Sequence, residues 1–302
     1  METWLVTGAG GFLGSNLGHF LSPRVNTVGL IRKPITHGST FHDYALADLR
    51  NFEDLSEIVT QLQPSVIIHA GAVSGHEECE RNPDLAYEVN RDSTAHLAQL
   101  SDSIGAQFIF ISTDAVFDGI EGNYTELDSP NPFSNYGLSK LAGETAARNY
   151  DNSLVLRTNF FGWSPSGQSS ILEFFLNELS KEHSVAGFSD FTVTSTYVGF
   201  LADVLFHLGR ERQTGLLHCS SADALTKFEF AQNVAEVFGF DKNLIQETTS
   251  QHEGLSTSRS RDISLNSELC ASLIGIPMNT QLDGIRRAFH EQQTLRGCFN
   301  GH

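Results

Sequence analysis

The chain has 302 residues, of which 40% are hydrophobic and 18% charged, a composition typical of a globular protein with one large domain or two unequal ones. Its formal net charge of −17 disfavours nucleic acid as a partner, because an acidic surface repels polyanions. The chain opens without a basic segment and contains no apolar run near the roughly 18 residues of a membrane span, so we expect neither a signal peptide nor membrane insertion.

The four cysteines indicate a reducing compartment. Cys79, Cys219, Cys270 and Cys298 are scattered, and no two of them have the CxxC spacing of a zinc site or a redox motif. Unpaired thiols in a chain of this length are typical of the cytosol. We therefore expect a cytoplasmic protein without a bound metal.

Short apolar segments alternate with helical segments in the first half of the chain. Strands are predicted at Trp4–Thr7, Thr27–Ile31, Val66–His69, Phe108–Ile111 and Leu154–Arg157. Helices are predicted at Phe12–Leu21, Phe52–Gln61, Pro83–Ser103 and Asn135–Tyr150. This alternation predicts an α/β fold, a doubly wound parallel sheet of the Rossmann type with helices on both faces.

The second half is less regular and predicts a smaller, mixed domain. Helices are expected at Ser170–Ser180, Val198–Leu208, Lys227–Phe238 and Leu282–Gln292, and short strands at Ser184–Ala186 and Leu216–Cys219. We expect a nucleotide-binding domain over residues 1–160, completed by part of 188–212, and a substrate-binding domain over 161–302.

Three evenly spaced glycines follow the first predicted strand. Gly8, Gly11 and Gly14 lie in a Gly-x-x-Gly-x-x-Gly run that opens the next helix. Glycine permits a tight turn and a close approach of backbone to a pyrophosphate, and the helix N-terminus offers N–H groups to the phosphates. The run predicts a dinucleotide site that also includes Phe12 and Leu13.

The end of the second predicted strand favours NADP(H) over NAD(H). An acidic residue there binds the ribose 2′-hydroxyl, whereas a basic residue accepts a 2′-phosphate. The chain has Arg32 and Lys33 at this point and no acid. NAD(H) stays an alternative if the two cations are only solvated loop residues. Farther on, the small residues Ala70, Gly71 and Ala72 would let the cofactor lie on the backbone.

Tyr136 and Lys140 are the predicted catalytic pair. Positions four apart share one face of a helix, and an ammonium beside a phenol lowers its pKa from about 10. Such a tyrosine can act as an acid or base. Thr113 follows an apolar strand, at the sheet edge where ligands bind, and its hydroxyl could hydrogen-bond a substrate carbonyl.

The TGxxGxxG start and the YxxxK pair resemble those of extended short-chain dehydrogenases/reductases. The runs Ile111-Ser-Thr-Asp-Ala-Val-Phe-Asp-Gly119 and Asn135-Tyr-Gly-Leu-Ser-Lys-Leu-Ala-Gly-Glu144 are similar to the dTDP-4-dehydrorhamnose reductase family. That family reduces the 4-keto group of a nucleotide-linked 6-deoxy sugar. The resemblance implies that Asp48 and Leu49 lie against adenine, that Asn90 belongs to the cofactor site, and that Lys140 binds the nicotinamide ribose.

The substrate end departs from the family. Ala115 stands where the family commonly has tyrosine, and Phe160 where it has tryptophan. Ala115 also disfavours a 4,6-dehydratase, which uses a glutamate there as acid or base. The candidate substrate residues are Ser74, His76, Asp114, Phe160 and Arg261. Arg259 and Arg261 could bind a diphosphate, or they could be an exposed pair of cations. The segment around His76 could contact the substrate, or it could be a solvated loop.

Two other functions remain compatible with the sequence. A nucleotide-sugar epimerase of the same fold would retain NAD(H), which Arg32 and Lys33 disfavour. The chain also resembles the regulatory subunit of methionine adenosyltransferase, which binds a partner enzyme. The expected ligand is a nucleotide sugar, and a homodimer is possible.

Overall fold

The computed structural model describes residues 2–35, 38–249 and 261–300. The strands are β1 (Thr3–Thr7), β2 (Asn26–Ile31), β3 (Asp43–Leu46), β4 (Val66–His69), β5 (Gln107–Thr113), β6 (Ser153–Thr158), β7 (Phe160–Phe161), β8 (Val185–Phe188), β9 (Thr192–Val193), β10 (Thr196–Tyr197), β11 (Gly215–His218), β12 (Leu225–Thr226) and β13 (Ile245–Thr248). The α-helices are α1 (Phe12–Leu21), α2 (Phe52–Leu62), α3 (His76–Arg81), α4 (Pro83–Tyr87), α5 (Ser93–Ser103), α6 (Asn135–Ala147), α7 (Ile171–Leu179), α8 (Val198–Arg210), α9 (Lys227–Phe238), α10 (Glu268–Ile274) and α11 (Gln281–Asn300).

A seven-stranded parallel sheet forms the centre of the molecule. Its strand order is β3-β2-β1-β4-β5-β6-β11. The order reverses between β1 and β4, and in such sheets ligands bind at the carboxyl ends of the strands beside this reversal. The predicted α/β fold of the Rossmann type is therefore confirmed, and its switch point places a binding site above the glycine run.

Both faces of the sheet are covered, which explains the apolar strands. Every residue of β4, β5 and β6 is buried. On one face α1 packs against α8 through leucines of both helices, and on the other α2, α5 and α6 cover the sheet. Strands buried on two sides need continuous apolar runs rather than alternation.

Several elements differ from the prediction. β3 was not predicted, because this edge strand is only partly buried and carries no apolar run. The helix predicted at Pro83–Ser103 is interrupted by a π-helical turn at Glu88–Asp92. That turn directs the buried Asn90 amide to the backbone N–H and C=O of Val73, each at 2.9 Å. α3 and α10 are short helices that the pattern also did not predict.

The C-terminal part combines helices with two-stranded pairings. β8 pairs with β13, β9 with β12, and α7, α9 and α11 pack around them. α8 lies in the 188–212 segment expected to complete the nucleotide-binding domain, and β11 extends the same sheet beyond it. The division into two domains near residue 160 stays a prediction.

Within the described ranges, no helix combines the length and apolar character required to cross a bilayer. Nor do three or more His, Cys, Asp or Glu side chains there form a group that could hold a metal ion.

Candidate active site

A cavity of about 820 Å³ opens at the carboxyl edge of the central sheet. Its walls come from the glycine run, the ends of β2, β4, β5 and β6, the start of α6, and the C-terminal part. The predicted site residues that line it are Gly8, Gly11, Phe12, Leu13, Gly14, Arg32, Lys33, Ala70, Gly71, Ala72, Ser74, His76, Thr113, Asp114, Tyr136, Lys140 and Phe160. The structure thus brings the predicted catalytic residues and most of the predicted cofactor residues to one cavity.

A second cavity of about 320 Å³ adjoins the first and shares Gly8, Arg32 and Gly71 with it. Asp48 and Leu49 line this smaller cavity, as the resemblance implied for an adenine site. Asp48 is paired with Arg50, whose Nη2 lies 2.9 Å from Oδ2. Hydrogen bonding from Arg50, aided by the charge of Arg32, lowers the pKa of Asp48 to about 2.

Two predicted residues lie outside these walls. Asn90 is buried behind the cavity, where its amide also donates to Ser139 Oγ at 2.9 Å. Arg261 is exposed and does not line either cavity, although its backbone oxygen accepts a hydrogen bond from Thr192. Arg259 lies outside the described residues.

The glycine run has no room for side chains at two of its positions. Gly8 has φ +68°, and a Cβ there would lie 2.7 Å from the Cα of Gly71. A Cβ at Gly14 would overlap the backbone oxygen of Gly8. Within the described ranges no side chain caps the N-terminus of α1, so this helix end faces the cavity with backbone N–H groups. Such a cradle fits a pyrophosphate.

The helix α6 presents Tyr136 and Lys140 to the cavity. Ser134 caps its N-terminus by accepting from Gly137 N–H at 3.1 Å. The Tyr136 ring packs edge-on against His76, with ring centroids 5.1 Å apart. The Tyr136 side chain is half-buried and lines the cavity. This burial raises the pKa of Tyr136 to about 12, against a lowering by its hydrogen bond with Thr113.

The direction of the Tyr136 pKa shift corrects the sequence-based expectation. Lys140 Nζ donates to the backbone oxygen of Ile111 at 2.7 Å and lies 3.9 Å from the centroid of the Phe110 ring. Burial lowers the pKa of Lys140 itself to about 7, although the charge of Glu144 raises it. Desolvation is thus the largest effect on the pKa of Tyr136, and the nearby charge of Asp114 raises it further. A phenol with a raised pKa keeps its proton at neutral pH, which is the protonation state that a proton donor requires.

Thr113 and Asp114 form a hydrogen-bonded corner at the end of β5. Thr113 Oγ1 donates to Asp114 Oδ1 at 3.1 Å, and Asn159 Nδ2 donates to Asp114 Oδ2 at 2.6 Å. Burial raises the pKa of Asp114 to about 6, while these hydrogen bonds lower it. Thr113 Oγ1 also accepts from the backbone N–H of Ala115 at 3.2 Å, which holds the side chain at the sheet edge. Its contact with a substrate carbonyl stays a prediction.

Sequence reasoning missed several residues of the cavity wall. Asn159 follows β6 at the same sheet edge that identified Thr113, so the same rule could have found it. Phe191, Val193, Lys227 and Ile263 come from the C-terminal part, and only tertiary packing brings them to the site. No local motif marks them.

The fold, the glycine cradle and the tyrosine–lysine helix define a member of the extended short-chain dehydrogenases/reductases. More narrowly, the chain belongs to the family described as RmlD substrate binding domain, whose model matches residues 2–294. The family predicted from the sequence is therefore confirmed.

Curated relatives and solved structures agree with this family. The chain is 32% identical over 248 residues to the probable low-salt glycan biosynthesis reductase Agl14 of Haloferax volcanii, covering 80% of this chain and 82% of that protein. It is 29% identical over 255 residues to methionine adenosyltransferase 2 subunit beta of Mus musculus, covering 81% and 75%.

Two solved structures have closely similar folds. One is of a hypothetical dTDP-4-dehydrorhamnose reductase from Sulfolobus tokodaii, with a TM-score of 0.81, 31% identity, and coverage of 94% of this chain and 99% of that one. The other is of dTDP-4-dehydrorhamnose reductase from Bacillus anthracis in complex with NADP, with a TM-score of 0.84, 24% identity, and coverage of 96% and 99%.

Proposed function

We propose that this protein is an NADPH-dependent reductase acting on the 4-keto group of a nucleotide-linked 6-deoxy sugar. One observation carries the proposal: Thr113, Tyr136 and Lys140 line the same cavity as the glycine cradle of α1. The relatives named as reductases, at 32% and 31% identity, support the same activity. A cytoplasmic location and a homodimer remain predictions.

The cavity residues fit a nicotinamide dinucleotide phosphate. Gly8, Gly11 and Gly14 would hold its pyrophosphate, and Asp48 and Leu49 its adenine. When bound, this cofactor supplies the hydride that reduces a carbonyl carbon. A 2′-phosphate would find Arg32 and Lys33 at the end of β2.

Residues of the protein itself would donate the proton and stabilise the charge that develops. Tyr136 would donate its phenolic proton to the carbonyl oxygen as negative charge develops there, so that a hydroxyl forms and the phenolate is left. Lys140, on the next turn of α6, would stabilise that phenolate and bind the nicotinamide ribose. Thr113, whose side chain hydrogen-bonds Tyr136, would hold the phenol oxygen toward the cavity.

The remaining candidate residues would position the sugar. Asp114 and Asn159 present a carboxylate and an amide at the sheet edge, and Ser74, His76 and Phe160 also line the cavity. Ala115 lines the cavity with a methyl group only. It therefore offers no acid or base for the elimination of water from the sugar.

Cofactor preference tests the assignment of Arg32. Arg32→Gln should weaken NADPH binding roughly 10- to 100-fold, because a charge-assisted contact to phosphate is lost, and should leave NADH binding nearly unchanged. Fluorescence titration of both cofactors measures this. Arg24→Gln, at a surface cation paired with Asp203, is the matched control. Equal losses for NADPH and NADH, or a wild-type preference for NADH, would contradict the assignment.

The reductase activity can be tested by NADPH oxidation with a panel of dTDP-, GDP-, UDP- and CDP-linked 4-keto-6-deoxyhexoses. We expect rapid oxidation with at least one of them and none with the corresponding 4-hydroxy sugars. A protein that isomerises a sugar nucleotide without consuming NADPH would instead be an epimerase.

The similarity to methionine adenosyltransferase 2 subunit beta supports a second candidate, a non-catalytic regulatory subunit. It would use the same fold to bind a partner enzyme. Co-purification with such a partner, together with no turnover of any sugar nucleotide, would favour it. Turnover at rates typical of enzymes, above about 1 s⁻¹, would exclude a purely regulatory role.

A further inference from the structure

The wall of the cavity formed by the C-terminal part carries one cation among the described residues, Lys227. The other cavity-lining cations belong to the nucleotide-binding side. Arg32 and Lys33 follow β2, and Lys140 is buried against Ile111 and Phe110. A nucleotide-linked sugar carries a diphosphate, and this chain has a net charge of −17. An anion can bind to such a protein only where a local positive charge offsets the general repulsion.

Lys227 is positioned by two different elements. It is the first residue of α9, and its backbone N–H donates to the oxygen of Phe191 at 3.1 Å. Its ammonium lies 4.9 Å from the centroid of the Phe191 ring and 5.9 Å from that of Phe188. Phe191 itself is buried and lines the cavity. The aromatic rings thus hold a half-buried cation at the wall, where contacts to charged groups are screened less than on the open surface.

The end of α9 does not offer an anion site of its own. Thr226 and Glu229 form a capping box in which Thr226 Oγ1 accepts from Glu229 N–H, and Glu229 Oε2 accepts from Thr226 N–H. The backbone N–H groups of Thr226 and Glu229 therefore already donate to side chains within the capping box. Among the described residues of this wall, the positive charge that faces an anion is therefore that of the Lys227 side chain, to which the helix dipole adds.

We propose that Lys227 binds the diphosphate of the nucleotide-linked substrate. The assignment rests on the proposed function in that it takes the substrate to be a nucleoside diphosphate derivative. Of the pair predicted from the sequence to bind a diphosphate, Arg261 does not line either cavity, and Arg259 lies outside the described residues. The sugar would then extend from Lys227 toward Asp114 and Tyr136, and the diphosphate would fix its position relative to the reacting carbonyl.

The test is a calorimetric titration of the NADPH-saturated protein with dTDP, UDP and GDP, and with thymidine as the uncharged probe. Lys227→Gln should weaken binding of the preferred nucleoside diphosphate roughly 10- to 100-fold and leave thymidine and NADPH binding unchanged. Lys227→Arg should retain most of the affinity. The difference between wild type and Lys227→Gln should shrink as salt is raised.

Two further variants, Lys242→Gln and Arg261→Gln, serve as controls. Lys242→Gln removes a lysine that pairs with Glu236 on the surface, outside the cavity, and should change nothing. The proposal is overturned if Lys227→Gln binds the diphosphate as the wild type does, if it loses NADPH affinity equally, or if Arg261→Gln alone produces the loss. It is also overturned if the wild type binds none of the three diphosphates.

The titration separates this inference from the proposed function because it needs no turnover. A wild type that binds dTDP through Lys227 but reduces no sugar nucleotide would refute the reductase activity and leave the binding site in place. A wild type that turns over, with KM unchanged in Lys227→Gln, would refute the binding site alone.

Discussion

Tyr136→Phe should lower kcat about 10²- to 10⁴-fold, the range that a positioned general acid contributes. The variant keeps the ring and its edge-on contact with His76, so the wall of the cavity is preserved. What it removes is the phenolic hydroxyl, which is protonated at neutral pH and supplies the proton. The dissociation constant of NADPH should stay within a factor of about 3, because the glycine cradle and Arg32 are untouched.

The matched control is Tyr150→Phe, at a half-buried tyrosine that follows α6 and packs against the core rather than lining the cavity. This variant should keep full kcat. Steady-state kinetics with the sugar nucleotide identified in the panel assay, together with a cofactor titration, measures both quantities. Near-wild-type kcat in Tyr136→Phe would refute proton donation by this residue.

Removing one partner of the buried Glu144–Arg157 pair should cost about 3–5 kcal/mol of the free energy of unfolding. Both side chains are 2% exposed, and Arg157 donates to the two oxygens of Glu144 at 2.9 and 2.7 Å. Ser112 Oγ also donates to Glu144, at 2.5 Å. The pair therefore ties α6 to β5 and β6, and either single variant leaves an unpaired charge in the core.

A double-mutant cycle measured by urea denaturation tests this account. Glu144→Leu and Arg157→Met should each be strongly destabilising, and the double variant should lose much less than their sum, because neither member of the pair is left without the other. Lys242→Ala, which breaks the exposed pair with Glu236, should cost below about 1 kcal/mol. Additive losses in the cycle would show that the two side chains do not interact energetically.

Most of the sheet could be predicted because its central strands are buried on both faces. β1, β4 and β6 are short apolar runs between turn residues, and the prediction found each of them. β3 was not predicted, because an edge strand with exposed ends needs no continuous apolar run. The π-helical turn at Glu88–Asp92 was not predicted, because the sequence there has the same pattern as a regular helix.

The cofactor side of the site was more predictable than the substrate side. Gly8, Gly14 and Tyr136 lie in local motifs whose spacing is set by one turn or one helix. Lys227 comes from the C-terminal part of the chain and reaches the cavity only through packing. The predicted direction of the pKa shift of Tyr136 was wrong, because the sequence shows the neighbouring lysine but not the burial of the phenol, which raises its pKa.

The central claim is tested most directly by following the label from NADPH that carries deuterium at both positions of the nicotinamide C4. The protein would be incubated with this cofactor and the preferred 4-keto-6-deoxy sugar nucleotide, and the product analysed by NMR and mass spectrometry. The account predicts one deuterium, bound to carbon 4 of the sugar, for each NADPH consumed. A product without deuterium, or a sugar nucleotide recovered unchanged beside intact NADPH, would contradict it.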